Sequence, residues 1–157
     1  MLSNPFLFAL MRHLPVRLAS WLGGWLSAHV ARRTMKLRDA RARANLAILR
    51  PDLSEAKREV LLTRRWVNVG RTMAELANID RLVNDAHVRV IDAPGYKQVL
   101  DGPGPMIALT CHLGNWDLLA AHIKWSTDRP GLGVYEDPEN PRIAAQLRKA
   151  RSSYMGE

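Results

Sequence analysis

The ten residues Ala108-Leu109-Thr110-Cys111-His112-Leu113-Gly114-Asn115-Trp116-Asp117 constrain this chain more than any others. An apolar, strand-like run ends on a histidine, turns at Gly114-Asn115 and meets an aspartate where a helix can begin. On one continuous helix His112 and Asp117 would lie about 140° apart, since each residue turns about 100°. They converge only if the chain bends between them, and a glycine followed by an asparagine is where bending is easiest. Such a strand–turn–helix corner belongs in an α/β fold. It also pairs a base that works near neutral pH with a carboxylate able to orient it.

The rest of the second half continues the alternation. A short strand is expected over 87–90, a short helix over 94–100, and a turn at Gly102-Pro103-Gly104-Pro105. Near-continuous apolar character makes 106–111 a buried strand. A helix over 115–125, a strand over 132–135 and a helix over 142–154 follow. The first half is helical by pattern: an apolar hairpin near 5–31, then an Arg/Ala-rich helix near 34–49 closed by Pro51. The next helix, capped by Asp52 with Glu55 behind it, runs to about Asn78 and turns Val60, Val67, Met73, Leu76 and Ala77 inward. The order is that of an α/β layer preceded by a helical segment, in one domain without internal repeats.

Charge separates the same two parts. Of the net +8, the whole excess lies in residues 1–50, where nine Lys/Arg face the single acid Asp39. Such a patch suits nucleic acid or an anionic membrane. No base-reading motif accompanies it, so nucleic acid is not an expected partner. Its neighbours include the apolar Phe6 and Phe8 and, one helical turn apart, Trp21 and Trp25, whose amphipathic rings favour a headgroup boundary. Arg12, His13 and Arg17 interrupt the apolar run, so no spanning helix is expected. An interfacial helix followed by Arg32, Arg33, Lys36, Arg38, Arg41 and Arg43 fits an anchor on an anionic leaflet. The alternative is a core helix with a solvated basic face.

The remaining chemistry is sparse. A lone histidine at a strand end more often just hydrogen-bonds its neighbours, and it is Asp117 and the corner that raise His112 above that reading. Consecutive strand residues face opposite ways, so Cys111 should point away from His112 as a small buried residue, with Thr110 lining the His112 face. His122, five positions past Asp117, falls on another helix face, and His13 and His29 carry no assigned chemistry. Asn115 is either a donor to a developing oxyanion or simply a turn residue. The one cysteine excludes an internal disulfide and suits a reducing compartment. Scattered histidines make no metal constellation, and no phosphate-binding glycine loop is present.

With its flanks the corner resembles the bacterial lipid A biosynthesis acyltransferases, the lauroyl and myristoyl transferase family. They form part of a glycerolipid acyltransferase group that shares a His-x-x-x-x-Asp signature. Asn45-Leu46 followed by Pro51-Asp52-Leu53-Ser54 is similar to one family block. Gly70-Arg71-Thr72-Met73-Ala74-Glu75-Leu76 is similar to the next, and Val134-Tyr135 through Asn140-Pro141 to another. The resemblance maps onto the amino-terminal half of a typical member, from about Leu14 onward.

It implies a membrane-associated helical segment over 1–50 and, over 51–157, the amino-terminal part of a glycerolipid acyltransferase-like α/β layer. The implied reaction moves a fatty acyl group from acyl carrier protein to a hydroxyl of a lipid A precursor, at the cytoplasmic face of the inner membrane. No metal or other cofactor is implied. His112 would be the base and Asp117 its support, with Arg148, Arg151 and Asn115 meeting substrate. Glu136 departs from the pattern, for the family commonly carries an arginine after the tyrosine. That keeps open an acyltransferase for another glycerolipid or aminolipid acceptor. A membrane-binding fragment without catalysis is the third reading.

Overall fold

The structure, a computed structural model, describes residues 5–84, 88–127, 129, 132–136, 141–152, 154 and 155. Helices α1 (Pro5–His13) and α2 (Val16–Leu26) form the expected apolar hairpin, parted at Pro15, which has no amide hydrogen to continue a helix. A π-helical turn, Ser27–Ala31, carries α2 into α3 (Arg32–Thr34), and α4 (Lys36–Leu49) follows. The long α5 (Glu55–Glu75) is capped by Ser54, whose hydroxyl accepts from the Lys57 amide at 3.4 Å. Asp52, the expected cap, pairs with Arg50 instead. A 3₁₀ turn at Leu76–Asn78 leads into α6 (Ile79–Asn84).

The centre of this half is the crossing of α2 and α5. A Cβ added to Gly70 would lie 2.1 Å from the Gly23 carbonyl oxygen, and one on Gly23 would lie 2.5 Å from Ala74 Cβ. The two backbones therefore touch, and only hydrogen fits between them. This contact sets the buried stripe of α5 as Leu62, Trp66, Gly70 and Ala74, at a spacing of four. Val60, expected inside, is exposed because it lies off that stripe. Met11, Ala19, Ala74 and Ala77 form the core here, lined by Leu7, Phe8, Leu14, Leu22 and Leu26. Asn78 donates to the Met11 carbonyl at 2.8 Å, and Arg81 to those of Arg12 and Leu14 at 3.1 and 3.0 Å, satisfying groups that the end of α1 leaves open.

Folding also redistributes the charge. Arg12 pairs with Asp80, Arg32 with Asp39 and Glu59, Arg43 with Glu55 and Glu59, and Arg50 with Asp52. Glu59, between two guanidinium groups, has its pKa pulled down to about 2, by the hydrogen bond from Arg32 first and that from Arg43 second. Four arginines of the basic segment are thus matched internally.

The second half departs from the expected α/β layer. The described residues form helices α7 (Tyr96–Asp101), α8 (Asp117–Ser126) and α9 (Pro141–Arg151), and no strand. Residues 88–94, 105–111 and 133–136 have no regular structure beyond a turn at Pro94, and Leu132 makes a lone bridge. His87 and residues 137–140 lie outside the described residues. The supposed buried strand is exposed, with Ile107 at 87% and Leu109 at 90%, and Cys111 is exposed with it. The reason is physical: a strand satisfies its backbone only through a neighbour in register, and no described residue over 105–111 is paired in a ladder. What packs instead is a small second core of Ile79, Ala121 and Tyr154, with Leu118, Ala120 and Met155 around it. No described helix is long and apolar enough to cross a membrane.

Candidate active site

The chain does turn where the sequence places the turn. Gly114 has φ +60°, in the left-handed region that other residues enter only at a cost, and the Leu113 amide reaches back to the Cys111 carbonyl at 2.7 Å. Two residues of α5 hold this corner. Thr72 donates to the Gly114 carbonyl at 3.4 Å, and Glu75 Oε2 accepts from Asn115 Nδ2 at 3.0 Å. The other Glu75 oxygen accepts from Ser20 on α2 at 2.6 Å, and the Ser20 hydroxyl accepts from Arg71 Nε at 3.0 Å. The corner is therefore referenced to α2 through a single carboxylate.

A carboxylate only accepts, so the Asn115 nitrogen must face Glu75 and its oxygen must face away. That oxygen, Oδ1, is buried and has no partner among the described residues. Asn115 thus keeps an unpartnered acceptor inside the corner, and an acceptor cannot stabilise an oxyanion.

Asp117 opens α8 and is 1% exposed. Its Oδ1 accepts from Arg151 Nε at 2.9 Å and from the Tyr154 hydroxyl at 3.1 Å, and its Oδ2 accepts from Arg151 Nη2 at 3.2 Å. The guanidinium also lies over the Tyr135 ring, 4.7 Å from its centroid. Burial opposes the Arg151 cation, but the hydrogen bonds and charge of Asp117 outweigh it and raise the arginine pKa. Burial first, and the Asp117 charge second, push the Tyr154 hydroxyl far above the usual phenol range.

His112 stands apart from this node. Its ring is exposed and packs edge-on against Trp116, with centroids 4.3 Å apart. No hydrogen bond joins it to Asp117. The structure thus brings Asp117 to Arg151, and Asn115 to the corner, while His112 sits on the solvent side and Arg148 on the exposed face of α9. Tyr154, Glu75 and Thr72 are the residues that pattern reading missed as parts of the site. Glu75 and Thr72 lay inside the Gly70–Leu76 block, where an acid and a hydroxyl on a largely buried helix end were the available signal. Nothing in the sequence pointed to Tyr154. The described residues hold no group of three or more His, Cys, Asp or Glu side chains able to bind a metal ion.

Comparison with known proteins gives one match. The model of the family described as bacterial lipid A biosynthesis acyltransferase matches residues 4–157. Neither the curated proteins nor the solved structures returned a match.

Proposed function

Because this chain belongs to the bacterial lipid A biosynthesis acyltransferase family, we propose that it moves a fatty acyl group from acyl carrier protein to a hydroxyl of a lipid A precursor. The match across residues 4–157 carries the reading, and the corner chemistry supports it. In this scheme His112 takes the proton of the acceptor hydroxyl as its oxygen attacks the thioester carbonyl carbon. The new carbon–oxygen bond forms, the carbon–sulfur bond breaks, and the departing thiolate recovers the proton from His112. Asn115, tied to Glu75 at 3.0 Å, holds in place the corner that carries His112. With both oxygens engaged by Arg151 and Tyr154, Asp117 acts by fixing where α8 begins.

The work would be done on the cytoplasmic face of the inner membrane. Trp21 and Trp25 each lie two residues from Gly23, the contact point with α5, so helical geometry turns both rings outward. They are 61% and 45% exposed, with the exposed Leu18 one turn before Trp21, an apolar aromatic face suited to the headgroup boundary. A second reading, an acyltransferase for another lipid acceptor, is favoured by Glu136, which is exposed where a basic residue would meet phosphate.

The test is acyl transfer by purified His112→Ala protein. Turnover should fall by about 10²–10⁴ while the melting midpoint stays put, because the ring is exposed. Near-wild-type turnover would remove His112 from the mechanism.

A further inference from the structure

Two shallow depressions, of about 460 and 400 Å³, lie along the amino-terminal half of α5 and share Leu61. Their floor is aliphatic: Leu46 and Leu49 from α4, Leu53 from the turn, Val60 and Leu61 from α5. Every charged residue that lines them is basic, with Arg38, Arg41 and Arg65 around one and Arg50, Lys57 and Arg64 around the other. Neither is lined by a carboxylate. Arg50 has Asp52, but Arg38, Arg41, Lys57, Arg64 and Arg65 make no ion pair with any described residue. The basic hollow at Arg32, Arg33, Lys36 and Arg43 differs, since Asp39, Glu55 and Glu59 neutralise much of it.

We propose that this trough between α4 and α5 is the docking surface for an acidic, amphipathic protein, the carrier that delivers the acyl chain. The inference rests on the reading above that the donor is protein-borne. Charge complementarity argues for it: unpaired guanidinium groups around an aliphatic floor match carboxylates around an apolar ridge. Geometry argues against lipid as the occupant. Leu61 precedes Gly70 by nine residues, two and a half helical turns, so it lies on the side of α5 opposite the α2 contact. Trp21 and Trp25 face outward beyond α2, on the other side of the pair. One flat bilayer cannot cover both faces. The trough also contains no aromatic residue, unlike the tryptophan face.

The experiment titrates fluorescent acyl carrier protein and, separately, phosphatidylglycerol-containing vesicles with wild-type and Arg64→Glu/Arg65→Glu protein. The double variant should bind the carrier about tenfold more weakly and raise the KM for acyl-carrier by a similar factor. Vesicle binding should stay within about twofold, and wild-type carrier binding should weaken with salt. Should the double variant lower the melting midpoint, Lys57→Glu carries the same comparison. Unchanged carrier affinity, or loss of vesicle binding in step with carrier binding, overturns the docking site while leaving the donor reading intact. A wild-type enzyme that uses acyl-coenzyme A but neither binds nor uses the carrier overturns the donor reading, and this proposal with it.

Discussion

The helices before residue 85 and the segments after residue 87 are held by different physics. In the first region α2 and α5 meet backbone to backbone at Gly23 and Gly70, and carbonyls at the end of α1 find donors in Asn78 and Arg81. The second region packs Ala121 and Tyr154 on Ile79 of α6 and is stitched by one buried charged node, Asp117 with Arg151. Long apolar stretches around it, such as 105–111, stay exposed. Dispersed packing tolerates the loss of one contact better than a single node tolerates the loss of one partner.

Breaking the node should therefore have the largest effect. Asp117→Ala leaves the Arg151 cation buried without its anion, a change that typically costs about 3–5 kcal/mol. Hydrogen exchange should show α8 and α9 losing protection while α2 and α5 keep theirs. Equal loss in both regions would mean that the node supports the whole fold alike. In the first region the corresponding lesion is Gly70→Ala, whose methyl collides with the Gly23 carbonyl. Overpacking of this kind costs about 1–3 kcal/mol, and a denaturant melt should show it as a global loss.

Acid should act on the first region through Glu59. Its folded pKa, about 2, lies below its ordinary value of 4.5, so its contribution is complete above pH 4.5 and fades as pH falls toward 2. Its carboxylate is 46% exposed, so the effect is small, and Glu59→Gln should flatten that limb of a pH melt only slightly. The smallest effect belongs to Leu109→Ser. A side chain 90% exposed has little burial to lose, and stability should change by no more than about 0.5 kcal/mol. A larger loss would mean that 105–111 is packed after all.

The same contrast explains what could be seen in advance. The helices of the first half were legible because their signals are local: Pro51 at a break and apolar residues at helical spacing. The cap was misplaced by two residues, and Val60 was put inside because a stripe chosen by glycine contact cannot be read from hydrophobicity. The bend at Gly114 was legible for the same local reason. Strands over 106–111 and 132–135 were not, because apolar character says that a segment wants cover and not whether a neighbour provides it. Asp117 was recognised, yet its partner was expected five residues away at His112, whereas Arg151 and Tyr154 come from the end of the chain. No spacing rule links positions 34 and 37 residues apart.

The Glu75 carboxylate, shared between Ser20 and Asn115, also carries a consequence for the order of events in folding. Its two hydrogen bonds close loops of 55 and 40 residues, whereas the helices they join need only neighbours a few residues away. Helical turns form in microseconds or less, and closing long loops adds an entropic delay that grows with their length. The Gly114 bend can thus settle against Thr72 and Glu75 only after the turns of α5 that carry them have formed. In time, the His112 corner arrives later than the helix end on which it is set.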